Sequence, residues 1–242
     1  MQIEVPRHYA GPPTMGHGGY VAGLFASRTK GAVQVTLRRP TPLETPLEIE
    51  ILDDDRQHVV LRRLDVADPA EAVVAESEAR PLEVDVPTPP PVDQAAATEP
   101  DSPSFYNGTG LHPTCFGCAV DRPGEPGLGI AAGPVTAGGV RQVAARWVPP
   151  AIFAGPDGTL DSQWVLAALD CPGSFAFVAY GTPAGLLGRI AFEQLSPVRA
   201  GEPHVVTGWQ IGVDGRKLFA GTALFTAEGE LLAAARATWF GM

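Results

Sequence analysis

Two short stretches of the chain hold residues that could do chemistry together. Met15-Gly16-His17-Gly18-Gly19-Tyr20 opens an apolar segment with glycines, and Leu166-Ala167-Ala168-Leu169-Asp170-Cys171-Pro172-Gly173-Ser174 opens another with a carboxylate. A carboxylate held against a water molecule can act as a general base. Backbone N–H groups at a helix start, aided by the helix dipole, can hold the negative oxygen that forms when water attacks an activated carbonyl. Glycines there let the carbonyl approach closely because no Cβ intervenes. Asp170 fits the carboxylate role, Gly18 and Gly19 fit the oxyanion role, and His17 would stand at the mouth. Each also has a plainer reading. Asp170 ahead of Pro172 suits a helix N-cap, His17 suits a half-buried polar residue bonded to backbone, and the glycine pair suits tight packing at a helix start.

A third cluster is His112-Pro113-Thr114-Cys115-Phe116-Gly117-Cys118. His-x2-Cys-x2-Cys offers three soft donors, and Cys171 could add a fourth to make a tetrahedral zinc site. The spacing lacks a second paired motif, and reduced cysteines commonly pack as small hydrophobes. The favoured reading is therefore a docking segment, with Phe105, Tyr106, Leu111 and Phe116 tying it onto a sheet and Cys171 bringing it near Asp170. The chain has neither a Gly-Lys-Ser/Thr phosphate loop nor a Gly-x-Ser-x-Gly elbow. The pairs Arg38-Arg39 and Arg62-Arg63 alternate across strands and read as ordinary surface charge.

The elements that must position these residues follow from pattern. The chain has 242 residues, 17 Lys+Arg against 27 Asp+Glu, a net charge of −10 and 45% apolar residues. That composition supports a core and repels a phosphate backbone, so nucleic acid is excluded as a main partner. The longest apolar runs, Trp164–Leu169 and Phe175–Tyr180, are far short of the roughly twenty residues of a membrane span. With no basic start leading into an apolar run, and an odd three cysteines, the expectation is a cytoplasmic protein without a disulfide framework.

Nine of the 25 prolines fall between Val86 and Pro126, which reads as an exposed linker separating Met1–Asp85 from Gly127–Met242. The halves then look alike at a register of about 154 residues, with Gly19 over Gly173. A helical segment (Val21–Ser27; Phe175–Tyr180) leads to a strand (Val33–Arg38; Leu187–Phe192) and a proline turn (Thr41-Pro42; Ser196-Pro197). Three further strands follow in each: Leu47–Leu52, Val59–Val66 and Ala72–Arg80, then His204–Val213, Leu218–Phe225 and Leu231–Phe240. Turns are expected at Asp53-Asp54-Asp55-Arg56, Asp214-Gly215-Arg216 and Ala227-Glu228-Gly229-Glu230. One helix followed by antiparallel strands, twice over, indicates an α+β fold.

This element order, with the glycine motif first and Leu169-Asp170-Cys171 second, resembles the double-hotdog acyl-CoA thioesterase II family. The resemblance covers nearly the whole chain outside the linker. It implies an α+β double hotdog of two units, each a central helix wrapped by an antiparallel sheet. It further implies an acyl-CoA thioester bound between the two helices, Asp170 as catalytic base, and His17, Gly18, Gly19, Tyr20 and Gly173 around the substrate. The acyl tail would run past Tyr20, Leu24, Phe175 and Phe177. No cofactor, organic or metal, is required, and open sheet edges suggest a homodimer. The sequence departs from the family where a glutamine is expected, near Arg236, Ala237 and Thr238, which favours an alternative: an acyl- or small-molecule-binding protein without turnover. The hotdog hydratases' aspartate-plus-histidine pair is absent, because Phe175 stands five residues after Asp170.

Overall fold

The computed structural model describes residues 1–53, 58–108, 112–122, 124 and 126–241. Two sequence expectations, most of the Asp53–Arg56 turn and the docking of Leu111, lie outside them. Eleven strands form one sheet: β1 (Gln2–Ile3), β2 (Val33–Leu37), β3 (Leu47–Ile51), β4 (Val59–Arg63), β5 (Val73–Ala79), β6 (Gly133–Ala137), β7 (Val140–Trp147), β8 (Leu186–Gln194), β9 (His204–Asp214), β10 (Lys217–Thr226) and β11 (Leu231–Phe240). Their spatial order is β1-β3-β4-β5-β2-β8-β11-β10-β9-β7-β6. Outward from the β2–β8 seam, five strands lie on one side (β2-β5-β4-β3-β1) and six on the other (β8-β11-β10-β9-β7-β6), and at the seam Val33 faces Phe192 and Thr36 faces Arg189 in antiparallel register.

Among the described residues five helices accompany the sheet: α1 (Gly18–Ala26), α2 (Pro69–Ala72), α3 (Val92–Ala97), α4 (Ser162–Ala168) and α5 (Cys171–Val178). All of α1 after Gly18 is buried, as is α5 from Cys171 to Phe177. A helix apolar on every side must be enclosed, and here the sheet, the partner helices and the segment around Phe116 enclose them. None of the described helices is long and apolar enough to cross a membrane.

The break between α4 and α5 has a local cause. Pro172 has no N–H to offer the Ala168 carbonyl, so the helical ladder cannot pass. Leu169 instead closes a tighter bond to Leu166 (3.1 Å). Asp170 sits in that interruption. The two helical layers run antiparallel: a Cβ on Gly19 would lie 3.0 Å from Ala167 Cα, and one on Gly23 would lie 2.5 Å from the Gln163 carbonyl. Only glycine permits this approach.

The repeat register differs from the expected one. A 3-10 turn (Arg7–Tyr9; Ala151–Phe153), a bridge (Ala10 to Gly16; Ala154 to Leu160) and an N-cap (His17; Asp161) each recur after 144 residues. Asp161, not Cys171, is thus the counterpart of His17, and Gly19 stands over Gln163 rather than Gly173. The C-terminal half carries a longer helical stretch, so its strands are displaced further along the chain than its helix start. The Asp-Cys-Pro-Gly sequence does open a helix, α5, but one that follows directly on α4.

The proline-rich segment is not an exposed linker throughout. α3 lies against β7, Ala95 is buried, and Thr98 donates from its hydroxyl to the Ala144 carbonyl (2.6 Å). Leu82, Val84, Val86 and Val92 pack on a small core with Val135, Trp209 and Phe225. Apolar residues spaced between prolines supply enough contact to hold the segment down.

Candidate functional site

The structure brings Asp170 to the start of the other half's helix. Its Oδ2 accepts from the Gly19 backbone N–H at 2.6 Å and lies 3.2 Å from His17 Nε2. Asp170 is 3% exposed and His17 2%. Although Asp170 occupies the N-cap position of α5, its side chain makes no bond to that helix. It caps α1 instead, 151 residues away.

His17 is itself the α1 N-cap. Its Nδ1 accepts from the Tyr20 N–H (3.1 Å), so in the neutral ring the proton resides on Nε2. That proton faces Asp170 Oδ2 and the Cys171 sulfur, 3.4 Å away. His17 is therefore a buried partner of the carboxylate and not a residue of the mouth. The Gly19 N–H donates to Oδ2 and His17 Nε2 lies within ion-pair distance of it, while Oδ1 is buried without a hydrogen-bond partner.

Burial pushes the Asp170 carboxyl above its usual range; the His17 charge and the Gly19 N–H oppose this without cancelling it. Burial pulls the His17 imidazole down, but the Asp170 charge and the Cys115 thiol outweigh it and raise it overall. A buried base with raised affinity for protons is the state that general-base catalysis needs near neutrality.

A cavity of about 430 Å³ opens beside this pair, within the size range of small-molecule sites. Gly18, Asp170, Ser174, Phe175, Leu187 and Trp239 line it, and Arg38 and Arg39 also reach its wall. Arg38 pairs with Glu76, while the Arg39 guanidinium donates to the carbonyls of Ala70 (3.2 Å) and Val73 (2.8 Å).

Gly18 and His17 also line the cavity, but the Gly19 N–H is taken by Asp170 and so is not directed at a ligand. Gly18, first residue of α1, has no preceding helical carbonyl for its N–H, and of the two glycines expected to hold an oxyanion it is the one whose N–H Asp170 does not occupy. Tyr20 lies elsewhere. It stacks on Tyr9 (4.1 Å between centroids) within a cluster with Phe116 and Trp164. Gly173 is under the sheet-facing side of α5, where a Cβ would meet Trp239 Nε1 at 3.0 Å. Of the residues expected along the acyl tail, Phe175 reaches the cavity wall, whereas Leu24 and Phe177 belong to the core. Arg236 turns outward to the Glu83 carbonyl.

The Phe116 segment docks onto the helix pair and not onto the expected sheet, and Phe105 stays exposed instead of anchoring it. Phe116 is fully buried, its N–H donates to the Ala10 carbonyl (2.7 Å), and its ring meets those of Tyr9, Phe153 and Trp164 edge-on or tilted. Docking carries Cys115 to 3.7 Å from Cys171. His112 remains exposed, so the histidine beside the cysteines is His17 and not the sequence neighbour. Hydrogen bonds from Cys118 and Cys171 hold the Cys115 thiol well below its ordinary value, and the same contacts push Cys118 and Cys171 well above theirs.

No family model matches the chain, and no curated relative does. Solved structures do. The tesB protein of Mycobacterium avium subsp. paratuberculosis superposes with a TM-score of 0.63 over 100% of this chain and 92% of its own, at 14% identity. A hot dog fold protein of unknown function from Alicyclobacillus acidocaldarius gives 0.58 over 100% and 92%, at 16% identity. Acyl-CoA thioesterase II TesB2 from Mycobacterium marinum gives 0.52 over 94% and 90%, at 15% identity. With its antiparallel sheet and enclosed helices, the chain has the hotdog fold seen in TesB-like thioesterase structures.

Proposed function

We propose that this protein is a double hotdog hydrolysing an acyl-CoA thioester in the cavity between its two helical layers. The observation that carries the reading is Asp170. It is a buried carboxylate with one oxygen fixed by Gly19 and His17 and the other unpartnered, on the wall of a cavity of suitable size. Bound water gives a proton to Asp170 Oδ1 as its oxygen attacks the thioester carbon. The carbonyl oxygen becomes an oxyanion at the Gly18 N–H, at the positive end of α1. The tetrahedral intermediate collapses with cleavage of the C–S bond, and the thiolate leaves with the proton that Asp170 took. His17 never gives up its proton; it holds the carboxylate in position.

A second reading, ligand binding without turnover, is favoured by one observation: Asp170 occupies the Gly19 N–H, leaving a single helix-start amide for the oxyanion. Hydrolysis of short, long and aromatic acyl-CoA esters, comparing the wild type with Asp170→Asn, separates the two. Loss of a general base costs about 10²–10⁴-fold. Turnover that collapses by that much at unchanged thermal stability supports the thioesterase. Turnover unchanged in the variant removes Asp170 from the chemistry. Thermal stabilisation by one ester without hydrolysis of any establishes the binding protein.

A further inference from the structure

The three cysteines are the cluster that this mechanism leaves unused. They come from two distant places, the Phe116 segment and the first residue of α5, yet all three line the cavity next to His17. All are buried, at 2%, 4% and 8% exposure for Cys115, Cys118 and Cys171. Cys118 lines the same cavity three residues after Cys115, whose sulfur is 3.7 Å from that of Cys171. We infer that Cys115, Cys118 and Cys171 form a three-thiolate site for one zinc ion, whose fourth position faces the cavity.

The geometry supports this from several directions. Zinc–sulfur bonds of about 2.3 Å in a tetrahedron set sulfur atoms about 3.8 Å apart, and Cys115 and Cys171 are 3.7 Å apart. The Cys115–Cys118 loop is built to close over the spot: a Cβ on Gly117 would lie 2.6 Å from His17 Nε2 and 2.9 Å from the Cys171 sulfur. Backbone bonds from Leu128 to the Phe116 carbonyl (2.8 Å) and from Ile130 to the Gly117 carbonyl (2.9 Å) hold the loop there.

Three thiolates and a divalent ion leave one negative charge. The His17 Nε2–H donates toward the Cys171 sulfur from 3.4 Å. The nitrogen of His17 lies within 4.8 Å of the Cys115 and Cys171 sulfurs, but the Tyr20 N–H on Nδ1 fixes the proton at Nε2. His17 is thereby an outer hydrogen-bond donor rather than a ligand.

Metal content of the full-length protein, purified without chelator, tests the assignment independently of any turnover. About one zinc per chain is expected, lost in Cys115→Ser and Cys118→Ser and kept in His17→Gln. Because a cysteine variant can also fail to fold, the intact protein is stripped with a chelator and titrated with cobalt. Strong near-ultraviolet sulfur-to-cobalt absorption with tetrahedral visible bands, displaced by zinc, is the expected signature. Absence of these bands, or a disulfide among the three cysteines of the metal-free native protein, overturns the site. Loss of zinc in folded His17→Gln overturns the three-thiolate assignment.

Discussion

The two halves of the sheet follow one plan with unequal execution. In the N-terminal half β2, β3 and β4 have five residues each and the helix ends after nine, whereas β8 to β11 have nine to eleven and the helical stretch runs from Ser162 to Val178. The inequality divides the labour. The short half offers a glycine-led helix start, and the long half extends beyond it to deliver a carboxylate there. The reciprocal arrangement is lacking. At the α4 start Ser162 and Gln163 replace the glycines, and at the position equivalent to Asp170, 144 residues earlier, stands Ala26.

The difference between the halves can be broken most directly at the carboxylate. Asp170→Asn is expected to lower kcat/KM about 10²–10⁴-fold, a drop read from steady-state hydrolysis beside a melting curve. Next comes Gly19→Ala. Its new Cβ would sit 2.6 Å from Asp170 Cβ and 3.0 Å from Ala167 Cα, so chemical denaturation should show a loss of about 1–3 kcal/mol, with turnover falling as the carboxylate is displaced. A variant as stable and active as wild type would mean the helices separate easily.

The pH profile should show a smaller effect. Asp170 acts in its ionised form, and burial raises its pKa, so kcat/KM falls as pH drops through an inflection above the ordinary value of about 3.9. An inflection at or below that value would contradict the buried base. Asp161→Ala provides the matching control on the other helix start. Its Oδ1 accepts from the Gln163 N–H (2.9 Å), so removal should cost about 1 kcal/mol of stability and leave turnover intact. Equal loss of turnover at both positions would show that the halves share the chemistry.

How much of this was legible beforehand depended on where the signal lay. Strands rich in branched residues and closed by clear turns were readable, and β11 begins and ends where the pattern puts it. The pattern indicates no strand at β6 or β7, although Gly138-Gly139, both at positive φ, is a hairpin signal. Their alanine-rich sequence lacks strong alternation. Pro172 marks the start of α5 and so conceals the helix before it, α4, which ends at Ala168. The approach of Asp170 to Gly19 was expected from the order of the motifs. The contact of His17 with Cys171 was not, because it depends on how far one helix overshoots the other.

That overshoot bears on what joining both halves in one polypeptide permits. Two identical subunits around an axis would need every residue to serve in two settings at once, so a position could not be aspartate on one side and alanine on the other. Here Asp170 and Ala26 are separately encoded. Each can be chosen for its own surroundings: one buried charge is placed between the Gly19 amide and the His17 ring, and the opposite position keeps a small apolar side chain in the core.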